Sequence, residues 1–213
     1  MSAAREAILA RLRQAPGRAA AAAIEQRLAA HARGPQPAWP GGNAERFLAK
    51  LEQAAGSLAR VAAVAEIPRA VGDYLAAQQL AARLVAAPHP LLRGLAWAAG
   101  MEVASRAAGP ADAVALSVAF CAVAETGSLV LTSGPHTPTT LNFLPDHFLC
   151  VLAAGRIVPH IEDAWDLLRA EQGGMPRALN FVTGPSRTAD VEQTIQLGAH
   201  GPRRLHVILV DSV

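Results

Sequence analysis

Residues 178–192 read ALNFVTGPSRTADVE, an apolar run that passes directly into small, hydroxyl-bearing and cationic residues. The run 178–182 is typical of a buried strand. Gly184 lets a backbone approach a ligand closely, and Arg187 can hold a carboxylate or phosphate through two parallel hydrogen bonds. The segment therefore predicts a strand that ends in an anion-binding turn. Its candidate binding residues are Gly184, Ser186, Arg187 and Thr188.

A purely structural interpretation of this turn stays open. Ser186 or Thr188 can cap a following helix through its hydroxyl, and Arg187 can neutralise Asp190 or Glu192. The two acidic residues do not predict a metal site, because side chains two positions apart face different ways on both a strand and a helix. No metal site is therefore expected here.

A second motif, AETGSLVL, occupies residues 124–131. Two strand-like runs, 120–125 and 128–132, are separated by only Thr126 and Gly127. Because parallel strands cannot be joined by so short a connection, the motif predicts an antiparallel hairpin. The hydroxyl-rich loop 133–140 that follows is predicted to be either a pocket wall or an ordinary surface loop.

Glu125 is the candidate catalytic residue, because it closes an apolar strand at a position where α/β folds expose ligand-binding groups. It could act as a nucleophile, or as a base if a dry pocket raised its pKa. Thr126, Gly127 and Ser128 are candidate substrate contacts. The alternative is that Glu125 pairs with a nearby arginine and organises the hairpin. If the site exists, Glu125 and Arg187 should face a common cleft at the edge of the sheet.

His200 lies just before the last apolar run, 205–211. Its imidazole can transfer a proton near neutral pH, so His200 is a further candidate for the site. A hydrogen-bonded turn residue is the competing interpretation. His206, inside the apolar run, is expected to be structural.

The chain before the hairpin alternates between strand and helix patterns: a strand over 59–65, a helix from Pro68 to Gln79, and a strand over 83–86. This alternation is typical of a parallel α/β sheet with crossover helices. The predicted fold is α/β, with a single mixed, mostly parallel sheet flanked by helices, an inserted antiparallel hairpin and an N-terminal helical appendage. Further strands are predicted over 113–118, 147–153 and 205–211, and a helix over 161–170, while 189–197 stays undecided between helix and extended chain.

Two domains are expected from composition. Residues 1–42 combine two alanine- and arginine-rich helical stretches with a Gly/Pro-rich linker, so they are predicted to form an arm. Residues 43–213 are predicted to form one α/β domain, whose first helix starts with Asn43 as its N-cap. The full length of 213 residues is enough for one ordinary hydrophobic core.

Charge and hydropathy exclude several functions. The chain has a formal net charge of +2, but residues 1–34 hold six arginines against two glutamates, so the rest is slightly acidic. A slightly acidic domain binds phosphate backbones poorly, which disfavours nucleic acid as a partner. No apolar run approaches the roughly 20 residues of a membrane span, and the N-terminus does not resemble a secretory signal. We therefore expect a cytoplasmic protein.

The chain has two cysteines, Cys121 and Cys150. A four-iron cluster needs about four thiolates, so this chain is not expected to hold one. No Gly-x-Gly-x-x-Gly motif follows the first strand, so a nicotinamide site is not indicated either. We expect no cofactor bound by this chain.

Taken together, the motifs at 124–131 and 184–192 resemble those of the lactate-utilisation protein C family. The likeness extends from Phe47 to Asp211 and is densest from Val123 onward. It implies a LUD domain, related to the sugar-isomerase and CoA-transferase-like fold. It also implies a role in bacterial L-lactate oxidation to pyruvate, with iron–sulfur clusters in partner subunits and a small anionic ligand on this chain.

Three functions stay open under this resemblance. The first is an accessory or substrate-handling subunit. The second is a stand-alone acyl- or CoA-transferase, since class I CoA-transferases carry their nucleophilic glutamate in a Glu-x-Gly turn like that of Glu125. The third is a small-molecule sensor or scaffold. Whether the chain is an enzyme on its own, and whether it forms a homo-oligomer, is not decided by the sequence.

Overall fold

A computed structural model describes residues 3–14, 21–188, 196–198 and 200–213. The chain divides into two compact units, Met1–Gln36 and Pro37–Val213. The first contains helices α1 (Ala3–Gln14) and α2 (Ala21–Ala30), in which Ile8, Leu12, Ile24 and Leu28 are exposed.

The second unit contains all the described strands and the remaining helices. The helices are α3 (Asn43–Gln53), α4 (Ile67–Ala77), α5 (Thr140–Phe143) and α6 (Ile161–Glu171), with 3-10 turns at Val64–Glu66, Pro90–Leu92 and Ala154–Arg156. The strands are β1 (Ser57–Ala63), β2 (Arg83–Ala86), β3 (Glu102–Ser105), β4 (Val114–Val118), β5 (Cys121–Val123), β6 (Ser128–Thr132), β7 (His147–Ala153), β8 (Ile157–Val158), β9 (Leu179–Val182), β10 (Arg187–Thr188), β11 (Gln196–Leu197) and β12 (Arg204–Ser212).

Six strands form a parallel main sheet in the order β1-β12-β7-β4-β2-β3. The central strands β4 and β7 are buried along almost their whole length, as expected for parallel strands covered on both faces. The predicted α/β class and the mostly parallel sheet are confirmed.

The hairpin does not insert into the main sheet. Strands β5 and β6 form the centre of a separate four-stranded sheet, in the order β8-β5-β6-β9, with β8 parallel to β5 and β9 antiparallel to β6. The prediction of a single sheet is therefore corrected: the described residues form these two sheets and a two-stranded pair of β10 with β11. Cross-strand pairs such as Leu129 with Val182 hold the hairpin to β9, and neither motif alone specifies that long-range pairing.

The two sheets are held together by layers of apolar side chains. One face of the main sheet packs against α4, where Val71 and Leu75 join Leu149 and Ile208 in one core. The opposite face packs against α3 and the second sheet. The outer face of the second sheet packs on α6 through Ala164. Each burial of a large aliphatic side chain stabilises the fold by about 1.5–3 kcal/mol.

Helix α3 lies between the sheets because Phe47 and Leu51, one turn apart, are both buried. Its N-cap is Gly42, whose N–H donates to Glu45 Oε2 at 2.9 Å. Asn43 is therefore the first helical residue, and its predicted capping role is wrong by one position. The glutamate three residues beyond the cap makes this contact, so no capping side chain is needed.

Part of the Gly/Pro-rich segment before α3, residues 37–39, packs inside the second unit. The Trp39 ring lies 5.1 Å from the His160 ring at the start of α6, and the Arg46 guanidinium lies 5.4 Å above the same indole. The carbonyl oxygen of Pro37 lies 3.0 Å from His160 Nε2. These contacts fix residues 37–39 against α3 and α6.

Candidate functional site

A cavity of about 220 Å³ lies where β9 ends, beside the first residues of β7 and β12. We call it the Asn142 cavity. Its walls come from α5, the β9 end with the turn that follows, and the 200–202 turn. The lining residues are Asn142, Phe143, Phe148, Phe181, Val182, Thr183, Gly184, Ser186, His200, Gly201, Pro202 and Leu205.

Asn142 is the buried polar residue of this cavity. Its side chain is 2% exposed, and its Oδ1 has no hydrogen-bond partner among the described residues. A buried amide oxygen without a donor costs about 1–3 kcal/mol. The oxygen is thus a polar group that the described part of the fold leaves unsatisfied.

Asn142 is a lining residue of the cavity that the sequence patterns did not predict. It lies two residues beyond the hydroxyl-rich loop 133–140, whose alternative roles included a pocket wall. The detectable signal was a single amide within the run LNFL, 141–144, where an apolar residue would be usual. The burial of that amide in the very short helix α5 could not be read from the sequence.

The predicted anion-binding turn reaches the cavity through Gly184 and Ser186, and His200 lines the same cavity from the 200–202 turn. Gly184 has a φ of +81°, and a Cβ added there would overlap the Ala54 carbonyl oxygen and lie 2.9 Å from Ala54 Cβ. Only glycine fits this contact with the end of α3. The turn is therefore fixed against α3.

Two backbone hydrogen bonds join the Ser186 region to the chain before β12. The Ser186 N–H donates to Pro202 O at 2.8 Å, and the Gly198 N–H donates to Ser186 O at 3.0 Å. They place the Ser186 side chain beside His200 and Gly201 in the cavity wall. These backbone bonds therefore fix the position of Ser186 in the cavity wall.

Arg187 has a different position. Its Nη2 donates to the Ala54 carbonyl oxygen at 3.0 Å, and the side chain is exposed. It does not line the Asn142 cavity. The alternative partners Asp190 and Glu192 lie outside the described residues, as does most of the undecided segment 189–197. Thr188 lies in β10, where it pairs with Gln196 of β11.

The Glu125 turn also packs against α3, one helical turn before Ala54. Gly127 has a φ of +72°, and a Cβ there would lie 2.6 Å from Lys50 Cβ and 2.8 Å from the backbone nitrogen of Leu51. Glycine is thus required at both predicted turns for the same reason, which is close contact with one helix.

A chain of hydroxyl groups connects the two turns. Ser128 Oγ lies 2.7 Å from Thr126 Oγ1 and 2.5 Å from Thr183 Oγ1. Ser128 is 3% exposed, so these bonds satisfy its hydroxyl in the interior. Two of the predicted contact residues therefore serve, in this structure, to hold the hairpin to the end of β9.

Glu125 is partly exposed, and its N–H donates to Pro159 O at 2.9 Å. None of the ion pairs observed between described residues involves it. It does not line the Asn142 cavity, and neither does Arg187. The expected cleft between the Glu125 carboxylate and the Arg187 guanidinium is therefore not this cavity.

Both cysteines are buried inside the second unit. Burial raises the pKa of the Cys121 thiol to about 12 and also raises the pKa of the Cys150 thiol. Both are therefore protonated thiols at neutral pH, whereas a metal ligand is a thiolate. In the part of the chain that the structure describes, no three His, Cys, Asp or Glu side chains are grouped to hold a metal ion.

Among the described residues, no helix is long and apolar enough to span a membrane.

A solved structure of a DUF162 family protein from Deinococcus radiodurans is similar to this fold. The likeness has a TM-score of 0.59 and covers 80% of this chain and 99% of that chain, at 24% sequence identity. At this identity the likeness supports the α/β architecture alone.

The model of the LUD domain family matches residues 95–210, more than half of the chain. The chain belongs to the LUD domain family. Every residue that lines the Asn142 cavity falls within the matched LUD domain.

Curated relatives match stretches of about 100 residues. Lactate utilization protein C from Geobacillus sp. (strain WCH70) is 35% identical over 100 residues, which cover 46% of this chain and 42% of that protein. Lactate utilization protein C from Bacillus subtilis (strain 168) is 32% identical over 101 residues, with the same two shares. An uncharacterized protein from Neisseria meningitidis serogroup B is 35% identical over 94 residues, or 44% of this chain and 40% of that one. The chain therefore spans less than half the length of these relatives.

Proposed function

We propose that this LUD domain chain is a subunit of a bacterial system that oxidises L-lactate to pyruvate. The proposal is supported by the name Lactate utilization protein C, carried by relatives from Geobacillus and Bacillus. The oxidation removes two electrons and two protons from the substrate. In the proposed system the electrons pass to iron–sulfur clusters in partner subunits.

The buried thiols support this division of labour. Cys121 and Cys150 are both enclosed in apolar surroundings, where the neutral thiol is favoured over the thiolate. A cluster in this chain would need about four thiolates. Electron transfer is therefore assigned to partners, and ligand binding to this chain.

The observation that carries the ligand-binding role is the cavity itself, whose wall combines the polar residues Ser186 and His200 with Asn142. A volume of about 220 Å³ is below the roughly 300–1,000 Å³ of sites for drug-sized ligands. It suits a small carboxylate or phosphate-bearing ligand, whereas a complete CoA ester or nucleotide is too large to be enclosed in it. Ser186 and His200 offer hydrogen-bond donors to acid oxygens.

Acyl or CoA transfer through Glu125 is the second candidate function. Its support is the resemblance of the Glu-Thr-Gly turn to that of class I CoA-transferases, together with a carboxylate that is partly exposed at a tight turn. Because Glu125 does not line the Asn142 cavity, this reaction would need a separate binding surface. Turnover of acyl-CoA that is abolished by Glu125→Gln would favour it over the lactate role.

Deletion of the gene in its host tests the proposed function. We expect loss of growth on L-lactate but normal growth on pyruvate, because only the oxidation step is removed. A plasmid copy of the full chain should restore growth, and a tagged copy should co-purify with iron-containing proteins. Undiminished growth of the deletion strain on L-lactate would overturn the proposal.

A further inference from the structure

The main sheet has a point where the connections that follow two neighbouring strands diverge. After β2 the chain returns to the sheet as β3 on one side, whereas after β4 it returns as β7 on the other side. In open α/β sheets, ligands bind outside the carboxyl ends of the strands at such a point. This topology therefore favours a ligand at the ends of β2 and β4, whereas the Asn142 cavity lies beside the first residues of β7 and β12.

Three basic side chains lie together just beyond the end of β2, and we call them the His89 cluster: His89, Arg93 and His136. His136 belongs to the hydroxyl-rich loop 133–140, and its Nδ1 lies 3.1 Å from the carbonyl oxygen of Pro88. Arg93 Nη2 donates to the same oxygen at 3.4 Å. His136 and Arg93 are therefore close to each other and to His89, the residue that follows Pro88.

The His89 cluster has no acidic partner in the ion pairs observed between described residues. Burial lowers the pKa of His89, and the positive charges of His136 and Arg93 lower it further. Both basic neighbours are thus close enough to act on the His89 imidazole. A bound anion would relieve the repulsion between these groups.

The hydrogen bonds within the cluster leave donors for a ligand. His89 Nδ1 accepts from the Leu91 N–H at 3.2 Å, so the proton of the neutral His89 imidazole is on Nε2. His136 Nδ1 is the donor to the Pro88 oxygen, because a carbonyl only accepts, and protonation of this imidazole adds a second donor at Nε2. The Arg93 guanidinium has five N–H groups and repels cations, so the cluster suits an anion and not a metal ion.

A cavity of about 290 Å³ lies at the carboxyl ends of β2 and β3, and we call it the Trp97 cavity. Arg93 belongs to the His89 cluster and also lines this cavity, so the two are adjacent. Apart from Arg93 and Ser105, the lining residues carry no polar side chain, and they include Leu92, Leu95 and Trp97. An anion in the cluster therefore has a small apolar space beside it, near the lower limit of volume for a small-molecule site.

We propose that the His89 cluster binds the phosphate group of a small phosphate ester, whose apolar part enters the Trp97 cavity. Phosphate is favoured over carboxylate because its three strong acceptor oxygens match three basic groups. His89 and Arg93 precede residues 95–210, so the match to the LUD domain model assigns no role to them. The inference goes beyond the proposed function and does not depend on it.

NMR titration of the full chain, labelled with ¹³C and ¹⁵N, tests the inference with inorganic phosphate and phenyl phosphate at constant ionic strength. The ring signals of His89 and His136 and the Arg93 Nε–H should shift together, with a Kd for phosphate of about 1 mM or lower. Phenyl phosphate should bind at least about fivefold more tightly, because its ring leaves water on entering the cavity. At saturation the pKa of His89 should rise, because a bound anion favours the imidazolium.

Three variants assign the contacts. Arg93→Ala should weaken the binding of both probes at least about 10-fold, through the loss of a charge-assisted hydrogen bond. Trp97→Ala should remove the advantage of phenyl phosphate and leave the affinity for inorganic phosphate unchanged. Arg69→Ala is the matched control, because it removes an exposed guanidinium whose observed partner is Asp73, and both affinities should stay unchanged. Circular dichroism verifies that each variant is folded.

Several results would overturn the inference. One is a set of shifts confined to Ser186 and His200, which would place the phosphate in the Asn142 cavity; another is no shift in the His89 cluster. Equal affinities for the two probes would contradict the role of the Trp97 cavity. These comparisons need no variant, so they decide the question even if a substituted chain fails to fold. An unchanged phosphate affinity in folded Arg93→Ala would also contradict it.

Discussion

The Glu125–Ser128 turn and the Gly184–Arg187 turn look equivalent in sequence but differ in the structure. Each combines a glycine with hydroxyl and charged residues, and each places that glycine against α3, at Lys50 in one case and at Ala54 in the other. Only the second turn lines the Asn142 cavity. The first is held to β9 by the Ser128 hydroxyl.

The comparison shows that the same sequence pattern, a glycine beside polar residues, can arise for two different reasons. A glycine with positive φ beside polar residues indicates close approach of the backbone to some neighbour, and that neighbour is as readily a helix as a ligand. What distinguishes the Gly184 turn is Asn142, which comes from a remote part of the chain and is left without a donor. A glycine turn therefore indicates a ligand site only when it also lines a cavity, as the Gly184 turn does and the Gly127 turn does not.

The largest expected effect is that of an added methyl group at either turn. Gly184→Ala and Gly127→Ala each introduce a Cβ into the backbone of α3 at a positive φ, so each should lower the free energy of unfolding by about 3 kcal/mol or more. Urea unfolding measures the loss. A loss below about 1 kcal/mol at both positions would contradict the close contact with α3.

Gly72→Ala is the control for these substitutions. Gly72 lies within α4, and a Cβ there would have nothing within 4 Å. The change should raise stability by about 0.5–1 kcal/mol through better helix propensity. Destabilisation at this position would mean that alanine substitution is harmful for reasons other than contact.

Lowering the pH is expected to reduce the free energy of unfolding through His206, which lies in neither turn. His206, on β12, is 6% exposed and its Nδ1 lies 2.8 Å from Ser57 Oγ, and burial lowers the pKa of His206 to about 4. Between pH 6.5 and 4 the unfolded chain binds a proton at this residue and the folded chain does not. The free energy of unfolding should therefore fall as the pH falls through this range, by up to about 3 kcal/mol.

Chemical denaturation at several pH values measures this dependence. His206→Gln, which cannot titrate, should flatten the curve relative to the unmodified chain. His89 and His147, whose pKa values burial also lowers, contribute a smaller residual slope in both proteins. An unchanged slope in His206→Gln would contradict the assignment.

Ser128→Ala tests the hydroxyl chain that connects the two turns. It leaves Thr183 without its hydrogen bond and should cost about 1–2 kcal/mol, because Ser128 is buried. Affinity for the ligand should change less than about threefold, since Ser128 does not line the cavity. Abolished binding with unchanged stability would reverse the roles assigned to the two turns.

Arg187→Ala should have the smallest effect on stability. The guanidinium is exposed and donates one observed hydrogen bond, to Ala54 O, so a loss of about 0.5–1 kcal/mol is expected in urea unfolding. The sequence prediction that Arg187 binds an anion adds a separate expectation, weaker binding of inorganic phosphate or L-lactate. A normal affinity in this variant would limit Arg187 to its contact with α3.

The sequence predicted the α/β class and most of the strands, because buried parallel strands such as 147–153 are continuous apolar runs. It did not predict β3 (Glu102–Ser105), because this strand is short, mostly exposed and contains no apolar run. The prediction that the hairpin is inserted in the main sheet is also wrong, because β5 and β6 belong to the four-stranded sheet. The partner of a short strand depends on residues far away in sequence, here 179–182, and not on the strand itself.

The candidate site was predicted in part for a similar reason. Gly184 and Ser186 belong to one short motif and His200 to a second turn before β12, and the small and polar character of both is visible in the sequence. Asn142 and three phenylalanines of the cavity wall join them only after β7, β9 and β12 have assembled: Phe143, Phe148 and Phe181. Burial of one amide and the absence of its partner are properties of the fold, so local patterns could not reveal them.

The central claim, that the ligand site is at the Gly184 turn and not at the Glu125 turn, is tested most directly by NMR. Titration of the ¹⁵N-labelled chain with L-lactate follows the backbone amides of both turns and the side-chain amide of Asn142 in one experiment. We predict shifts at Asn142, Gly184 and Gly201, with residues 125–128 unchanged. Shifts confined to residues 125–128, with the Asn142 amide unmoved, would contradict the account.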